Sequence, residues 1–143
     1  MRRSKRLEPV LDLANDAERK AAQELAAAEA RVVEAEKKLA ELERYAQEYR
    51  VALKERTASG IDVVQLRAFH GFISRLGEAT TQQALVIQRA REQRDATRAR
   101  WLETSRRAQV VAKAVERAAA QERQVVERRE QSDSDERAQR SYI

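Results

Sequence analysis

The repeat that decides the fold is clearest in residues 21–53, which read AAQELAAAEARVVEAEKKLAELERYAQEYRVAL. Apolar residues recur along this stretch at alternating spacings of four and three. The same spacing extends back to Leu7, so that thirteen of its fourteen positions up to Leu53 are apolar and only Glu18 is charged. A 3.5-residue repeat sustained over this length is typical of a helix in a left-handed coiled coil.

One strong break, TASGID at residues 57–62, follows this first helix. Gly60 can adopt the left-handed conformation that ends a helix. Asp62 can cap the next helix, with Gln65 as its capping-box partner, and Pro9 suits the first turn of the first helix. We therefore predict a single coiled-coil domain over residues 1–143. Helix 1 spans about 7–56, the turn 57–61, helix 2 about 62–131 and a tail 132–143.

A looser repeat runs from Leu66 to Val125, where twelve of eighteen positions are apolar. Folding the chain back around residue 59 pairs position k with position 118 − k, which places Tyr49 opposite Phe69. The sequence therefore predicts an all-α fold, a long two-helix antiparallel coiled-coil hairpin shaped as a rod, with a C-terminal helical overhang. Pairing between two chains could satisfy the same repeat.

Gly71 and Gly77 lie inside the second helix, where each costs about 1 kcal/mol relative to Ala. They permit a bend, allow a close approach, or are only tolerated, and the sequence does not decide among these roles.

The composition excludes several classes of protein. Three Gly and one Pro leave little turn chemistry for a sheet protein or a many-loop enzyme. The absence of Cys removes disulfides and thiolate metal sites, and His70 is the only histidine. Of the apolar residues 26 are Ala and 34 are larger, which favours a thin helix–helix interface over a broad core. We expect no enzymatic activity, no cofactor and no metal.

The formal net charge of +5 permits acidic partners without requiring them. Most arginines lie far from the aromatic residues, which argues against a nucleic-acid partner and favours an acidic protein surface. A basic nucleic-acid-associated coiled coil and a generic self-associating coiled coil remain alternatives. No stretch approaches ~18 apolar residues, so we expect no transmembrane segment. No signal core follows the basic start, and we expect an intracellular protein.

The aromatic residues point to a binding surface near the turn. Tyr45 and Phe72 fall at the margins of the helix–helix interface, and Phe72, Leu76 and Ala79 share a stripe at spacings of four and three. The resulting partly exposed apolar patch is either flanking packing or a protein-docking surface.

Several short motifs recur in an order that is similar to a known family. RLEPVLDLA at 6–14 opens the chain, YAQEYR at 45–50 precedes the Gly60 turn, and FHGFISRL at 69–76 follows it. Gln82 and Gln83 come next, and ERREQ at 127–131 and DERAQR at 135–140 close the chain. Over nearly its whole length the sequence resembles the FliJ family of flagellar type III export proteins.

The resemblance implies a two-helix antiparallel coiled coil similar to the stalk of the rotary ATPase gamma subunit. It implies that the open end associates with the ring of the export ATPase FliI. It also implies that the region near the turn contacts the cytoplasmic domain of the export-gate protein FlhA, and that export chaperones bind. A protein of this family is expected in the cytoplasm, peripherally associated with the inner membrane at the flagellar base. The equivalent stalk protein of a virulence type III secretion system is an alternative.

Matching the family pattern position by position gives the residues expected at the export gate, namely Leu42, Tyr45, Tyr49, Phe72, Leu76 and Ala79. Gln83 departs from the pattern and is left out. The residues expected at the ATPase ring are the basic side chains of the open end, namely Arg2, Arg3, Lys5, Arg6, Arg117, Arg123, Arg128 and Arg129.

Overall fold

The computed structural model describes residues 2–142 and contains two helices, α1 (Arg3–Ser59) and α2 (Val63–Ser141). The two helices pack against each other, and the described residues contain no strand, which confirms the predicted all-α helical hairpin. Both helices are longer than predicted. α2 continues past residue 131 because ERAQR at 136–140 consists of good helix formers. Residue 143 of the predicted tail lies outside the described residues.

The turn has the chemistry that the sequence predicts. Gly60 ends α1 with a φ of 96°, in the left-handed region. The Asp62 carboxylate accepts a hydrogen bond from the backbone N–H of Gln65 at 2.8 Å and so caps α2. The Thr57 hydroxyl donates to the carbonyl of Leu53 in the last turns of α1. The predicted roles of Gly60 and Asp62 are confirmed.

The placement of Pro9 in a first helical turn was wrong. α1 begins at Arg3, so Pro9 lies inside the helix. A proline has no N–H to donate to the carbonyl four residues earlier. The backbone carbonyl of Lys5 therefore lacks its usual hydrogen-bond donor within the helix. The turns of α1 before Pro9 therefore need support from elsewhere.

The chain divides into two compact units. The first, called the turn unit, comprises residues 23–99, and its core contains buried residues from both helices: Ala28, Val32, Ala35, Ala46, Leu76 and Ile87. The second, called the terminal unit, comprises the described residues of 1–22 and 100–143, with Ala21, Ala108 and Ala118 buried. Alanine lets two helices approach closely but buries little apolar area per residue. Of all the predicted core positions, only Tyr49 and Val125 are exposed.

Polar residues in the core of the turn unit are hydrogen-bonded. Gln83, only 6% exposed, donates from its amide to the carbonyl of Ala35 at 2.9 Å. These two residues are partners in the predicted 118 − k pairing, so this bond spans the two helices in the predicted register. The Thr97 hydroxyl, also buried, donates to the carbonyl of Gln93. Polar groups satisfied in this way can occupy a core without the cost of an unpaired donor.

In the terminal unit, Glu18 has a specific partner. The indole N–H of Trp101 donates to the Glu18 carboxylate at 2.9 Å. Both residues occupy core positions of the repeat and are half-buried. The one charged position in the repeat of α1 is therefore the acceptor that the indole requires.

The last part of α2 has no covering helix within the described chain, since every residue from Arg123 to Tyr142 is exposed. Neither helix contains, within residues 2–142, a segment long and apolar enough to span a membrane.

Replacing the glycines tests the local backbone arguments. A Cβ added at Gly71 or Gly77 would have no heavy atom within 4 Å, so neither glycine serves a close approach inside the described chain. We expect Gly71→Ala and Gly77→Ala each to raise the free energy of unfolding by about 0.5–1 kcal/mol, measured by urea denaturation. Gly60→Ala should lower it by about 1 kcal/mol or more, because of the positive φ. Equal effects at all three positions would contradict this account.

Substitution of Glu18 tests the contact with Trp101. Glu18→Ala leaves the indole N–H without its acceptor, and we expect unfolding to become easier by about 1–3 kcal/mol. Glu18→Gln keeps an acceptor and should cost less. Thermal unfolding followed by the fluorescence of Trp101, the only tryptophan, measures both variants. If the alanine variant is as stable as the wild type, the contact between Glu18 and Trp101 does not stabilise the fold.

Candidate docking sites

Three aromatic rings meet beside the turn. The ring of Tyr49 lies 6.2 Å from that of Phe69 in an edge-on arrangement and 4.2 Å from that of Phe72. The contact between Tyr49 and Phe69 confirms the predicted pairing. Tyr49 remains 36% exposed although it occupies a core position.

The rings border a shallow groove on the turn unit. The groove has a volume of about 300 Å³ and is lined by Tyr49, Ala68, Phe69, Phe72 and Arg75. Large aromatic side chains in a groove of this kind are the groups that most often anchor protein interfaces.

Tyr45 presents a further aromatic surface on the turn unit. Its side chain is 49% exposed, and the guanidinium of Arg44 lies 5.9 Å from its ring centre. A cation at this distance from a ring is attracted to its electron-rich face.

The structure places the six residues expected at the export gate in the turn unit, but not all at its surface. Tyr45 and Tyr49 are exposed, whereas Leu42, Phe72 and Ala79 are half-buried. Leu76 is buried, so it supports the surface from below and offers little area to a partner. A direct ring contact joins Tyr49 and Phe72.

The sequence-based set omitted three residues of the groove, Ala68, Phe69 and Arg75. Phe69 was assigned to the helix–helix interface alone, yet its half-buried ring also lines the groove. Its position opposite a second aromatic residue was the available signal, since two rings facing each other in a narrow interface must displace each other outward. Nothing in the repeat marked Arg75.

The terminal unit has a second feature, at the beginning of α1. The Glu122 carboxylate accepts hydrogen bonds from the Ser4 backbone N–H at 3.0 Å and from the Ser4 hydroxyl at 2.6 Å. The first backbone N–H groups of a helix lack partners within that helix. Glu122 on α2 thus caps α1 from outside, and it supports the turns that precede Pro9.

Two grooves flank this contact within the terminal unit. One, of about 460 Å³, includes Arg2, Arg123 and Val126 in its lining. The other, of about 260 Å³, includes Arg2, Arg3 and Arg129.

The structure therefore brings together Arg2, Arg3, Arg123 and Arg129 from the basic set expected at the ATPase ring. The other members, Lys5, Arg6, Arg117 and Arg128, are exposed and line neither groove. Within residues 2–142 no group of three or more metal-ligating side chains comes together.

The Glu122 contact should depend on pH. Hydrogen bonds from the hydroxyl and then the backbone N–H of Ser4, with the charge of Arg2 adding to them, hold the pKa of Glu122 below its ordinary value. A group whose pKa is lower in the folded state stabilises the fold above its unfolded-state pKa. That stabilisation is lost as the pH falls through the lowered value.

We expect the protection of the Ser4 amide from hydrogen exchange to decrease as the pH falls through the lowered pKa of Glu122. In Glu122→Ala the protection should be low throughout, with no such transition. Glu122→Gln, which keeps an acceptor but cannot titrate in this range, is the matched control and should remain protected. A wild-type profile identical to that of the alanine variant would contradict the cap.

Comparison with known families gives one clear result. A family model described as "Flagellar FliJ protein" matches residues 3–143. Comparisons with curated proteins and with solved structures gave no significant match. Because the family match spans nearly the whole chain and agrees with the resemblance in the motifs, the chain belongs to the FliJ family of flagellar export proteins.

Proposed function

We propose that the chain is a non-enzymatic stalk and adaptor of the flagellar type III export apparatus. In this proposal the turn unit docks on the cytoplasmic domain of the gate protein FlhA, and the terminal unit associates with the ring of the ATPase FliI. Export chaperones bind to the same protein, which is cytoplasmic and peripheral to the inner membrane at the flagellar base. The observation that carries the proposal is the exposed aromatic surface of the turn unit.

The aromatic surface supports docking because its rings are not needed to fill the core. Tyr45 is half exposed, with the guanidinium of the neighbouring Arg44 near its ring, and Tyr49 keeps about a third of its surface in contact with solvent. Burying such rings against a partner yields apolar stabilisation that the hairpin itself does not use. The surrounding exposed charges exclude nonspecific apolar contacts.

The terminal unit supports the ATPase proposal through charge. Arg2, Arg123 and Arg129 line its grooves, and none of them forms an ion pair with a described residue. Guanidinium groups beside a groove favour a partner with an acidic surface, which they attract over distances of several ångströms.

Removing two aromatic rings tests the docking surface. Tyr45→Ala combined with Phe72→Ala should raise the dissociation constant for the FlhA cytoplasmic domain at least about 30-fold, since anchoring rings typically contribute most of the affinity. Isothermal titration calorimetry with the full-length chain measures it. Tyr142→Ala is the matched control, because that tyrosine is 94% exposed and lies outside the turn unit.

The same double variant should bind FliI like the wild type, because the basic residues proposed for the ring lie in the terminal unit. If the double variant is helical by circular dichroism and still binds the gate domain with wild-type affinity, the aromatic surface is not the docking site for the gate.

A further inference from the structure

The two edges of the turn unit differ in charge. The core positions of a heptad are labelled a and d. One edge of the helix–helix interface is formed by the residues that follow each d position, and the other edge by the residues that precede each a position. The edge after d carries ion pairs between the helices. Arg91 lies 3.0 Å from Glu36, and Arg98 lies 3.9 Å from Glu29. On this edge, called the ion-pair edge, Arg91 and Arg98 thus have counter-ions within the chain.

The opposite edge, called the docking edge, has a different composition. From α2 it takes three apolar residues seven positions apart, Phe72, Ala79 and Val86. From α1 it takes Tyr45, Lys38 and Arg31, also seven apart. In the 118 − k register, which the bond between Gln83 and Ala35 shows, the two rows run beside each other.

The basic residues of the docking edge have no counter-ion. Lys38 and Arg31 are exposed, and within the part of the chain that the structure describes neither side chain forms an ion pair or a hydrogen bond. In the 118 − k register the α2 positions next to those opposite Lys38 and Arg31 are Ala79 and Val86, and Val86 is 44% exposed. Within the hairpin, an apolar row gives these cations no counter-ion, and the cations give the apolar row no apolar partner.

We propose that the docking surface continues from Tyr45 and Phe72 along this edge to Val86, and that the partner presents carboxylates to Lys38 and Arg31. The occupant is thus an acidic protein surface with an apolar contact at its centre. This inference rests on the proposed function, because the aromatic end of the edge is the surface assigned to the export gate. To the proposed function, the inference adds how far along the edge the contact extends and the negative charge of the partner surface.

Charge and composition decide among the occupants. A second copy docked through the same edge would bring the unpaired cations of both chains to one interface, where like charges oppose association. A partner that supplies carboxylates removes that cost and pairs both cations. The apolar row on α2 favours a protein partner, since apolar side chains contribute little to contacts with a phosphate backbone.

Charge reversal tests the inference. In Arg31→Glu with Lys38→Glu, the association rate constant with the FlhA cytoplasmic domain should fall about tenfold at about 50 mM salt, because charges at the rim of an interface act mainly on the association rate. The difference should narrow to about twofold at about 0.5 M salt, where screening is strong. Surface plasmon resonance with the full-length chain measures both rates.

Lys37→Glu with Lys54→Glu is the matched control. It makes the same change in net charge within the turn unit, at exposed positions off the docking edge. We expect its association rate to change less than about threefold. Val86→Ala should raise the dissociation constant about fivefold through lost apolar contact, whereas Val63→Ala, at a position 61% exposed near the turn, should not change it.

The outcomes separate the two proposals. If the charge-reversed variant and its control associate equally fast, while loss of Tyr45 and Phe72 abolishes binding, the extension is wrong and the gate assignment stands. If Val86→Ala binds like the wild type, the contact does not reach Val86. If the wild-type chain does not bind the gate domain at all, both proposals fail.

Discussion

The structure depends on a heptad core whose buried apolar side chains are mostly alanine. Two helices with alanine at many core positions approach closely, and the interface between them is thin. Leu76 and Ile87 are the largest of the buried side chains in the turn unit, and no large side chain anywhere in residues 2–142 is fully buried. Stability must therefore come from many small contacts along both helices. In so thin an interface the rings of Tyr49 and Phe69 remain partly exposed.

This constraint explains why the candidate docking surface lies where it does. Tyr49 and Phe69 face each other across the interface, and their rings spread outward until Tyr49 also packs against Phe72. The same packing opens the groove beside them. A surface formed in this way is preorganised, because the rings are held by one another before any partner arrives. The docking edge then continues the surface beyond the aromatic residues.

The polar residues of the core have a complementary role. Apolar contacts between alanines specify register weakly, since neighbouring registers bury similar areas. Gln83 bonds to Ala35 and Trp101 bonds to Glu18, and each bond would be broken by a shift of one helix along the other. Breaking such a bond leaves a buried donor unpaired, at a cost of about 1–3 kcal/mol. These contacts therefore hold the helices in the register that places the docking edge.

The repeat and the Gly60 turn were sufficient to predict the fold, the register of the turn unit and the position of the aromatic residues, because each follows from spacing along one chain. The cap of Ser4 by Glu122 could not be predicted, since it joins residues 118 positions apart through side-chain geometry. Pro9 was misplaced because the basic residues before it carry no apolar repeat to mark helix. The exposure of Tyr49 could not be predicted from the repeat either, because the repeat gives the position of a side chain but not the volume available to it.

The central claim is that the aromatic rings at and beside the margin of the heptad interface form the surface on which the export gate docks. Titration of the isotope-labelled chain with the FlhA cytoplasmic domain, followed by NMR of the aromatic side chains, tests it most directly. The account predicts that the ring signals of Tyr45, Tyr49 and Phe72 shift or broaden, while the indole N–H signal of Trp101 in the terminal unit does not. Changes confined to Trp101, with the three rings unaffected, would contradict it.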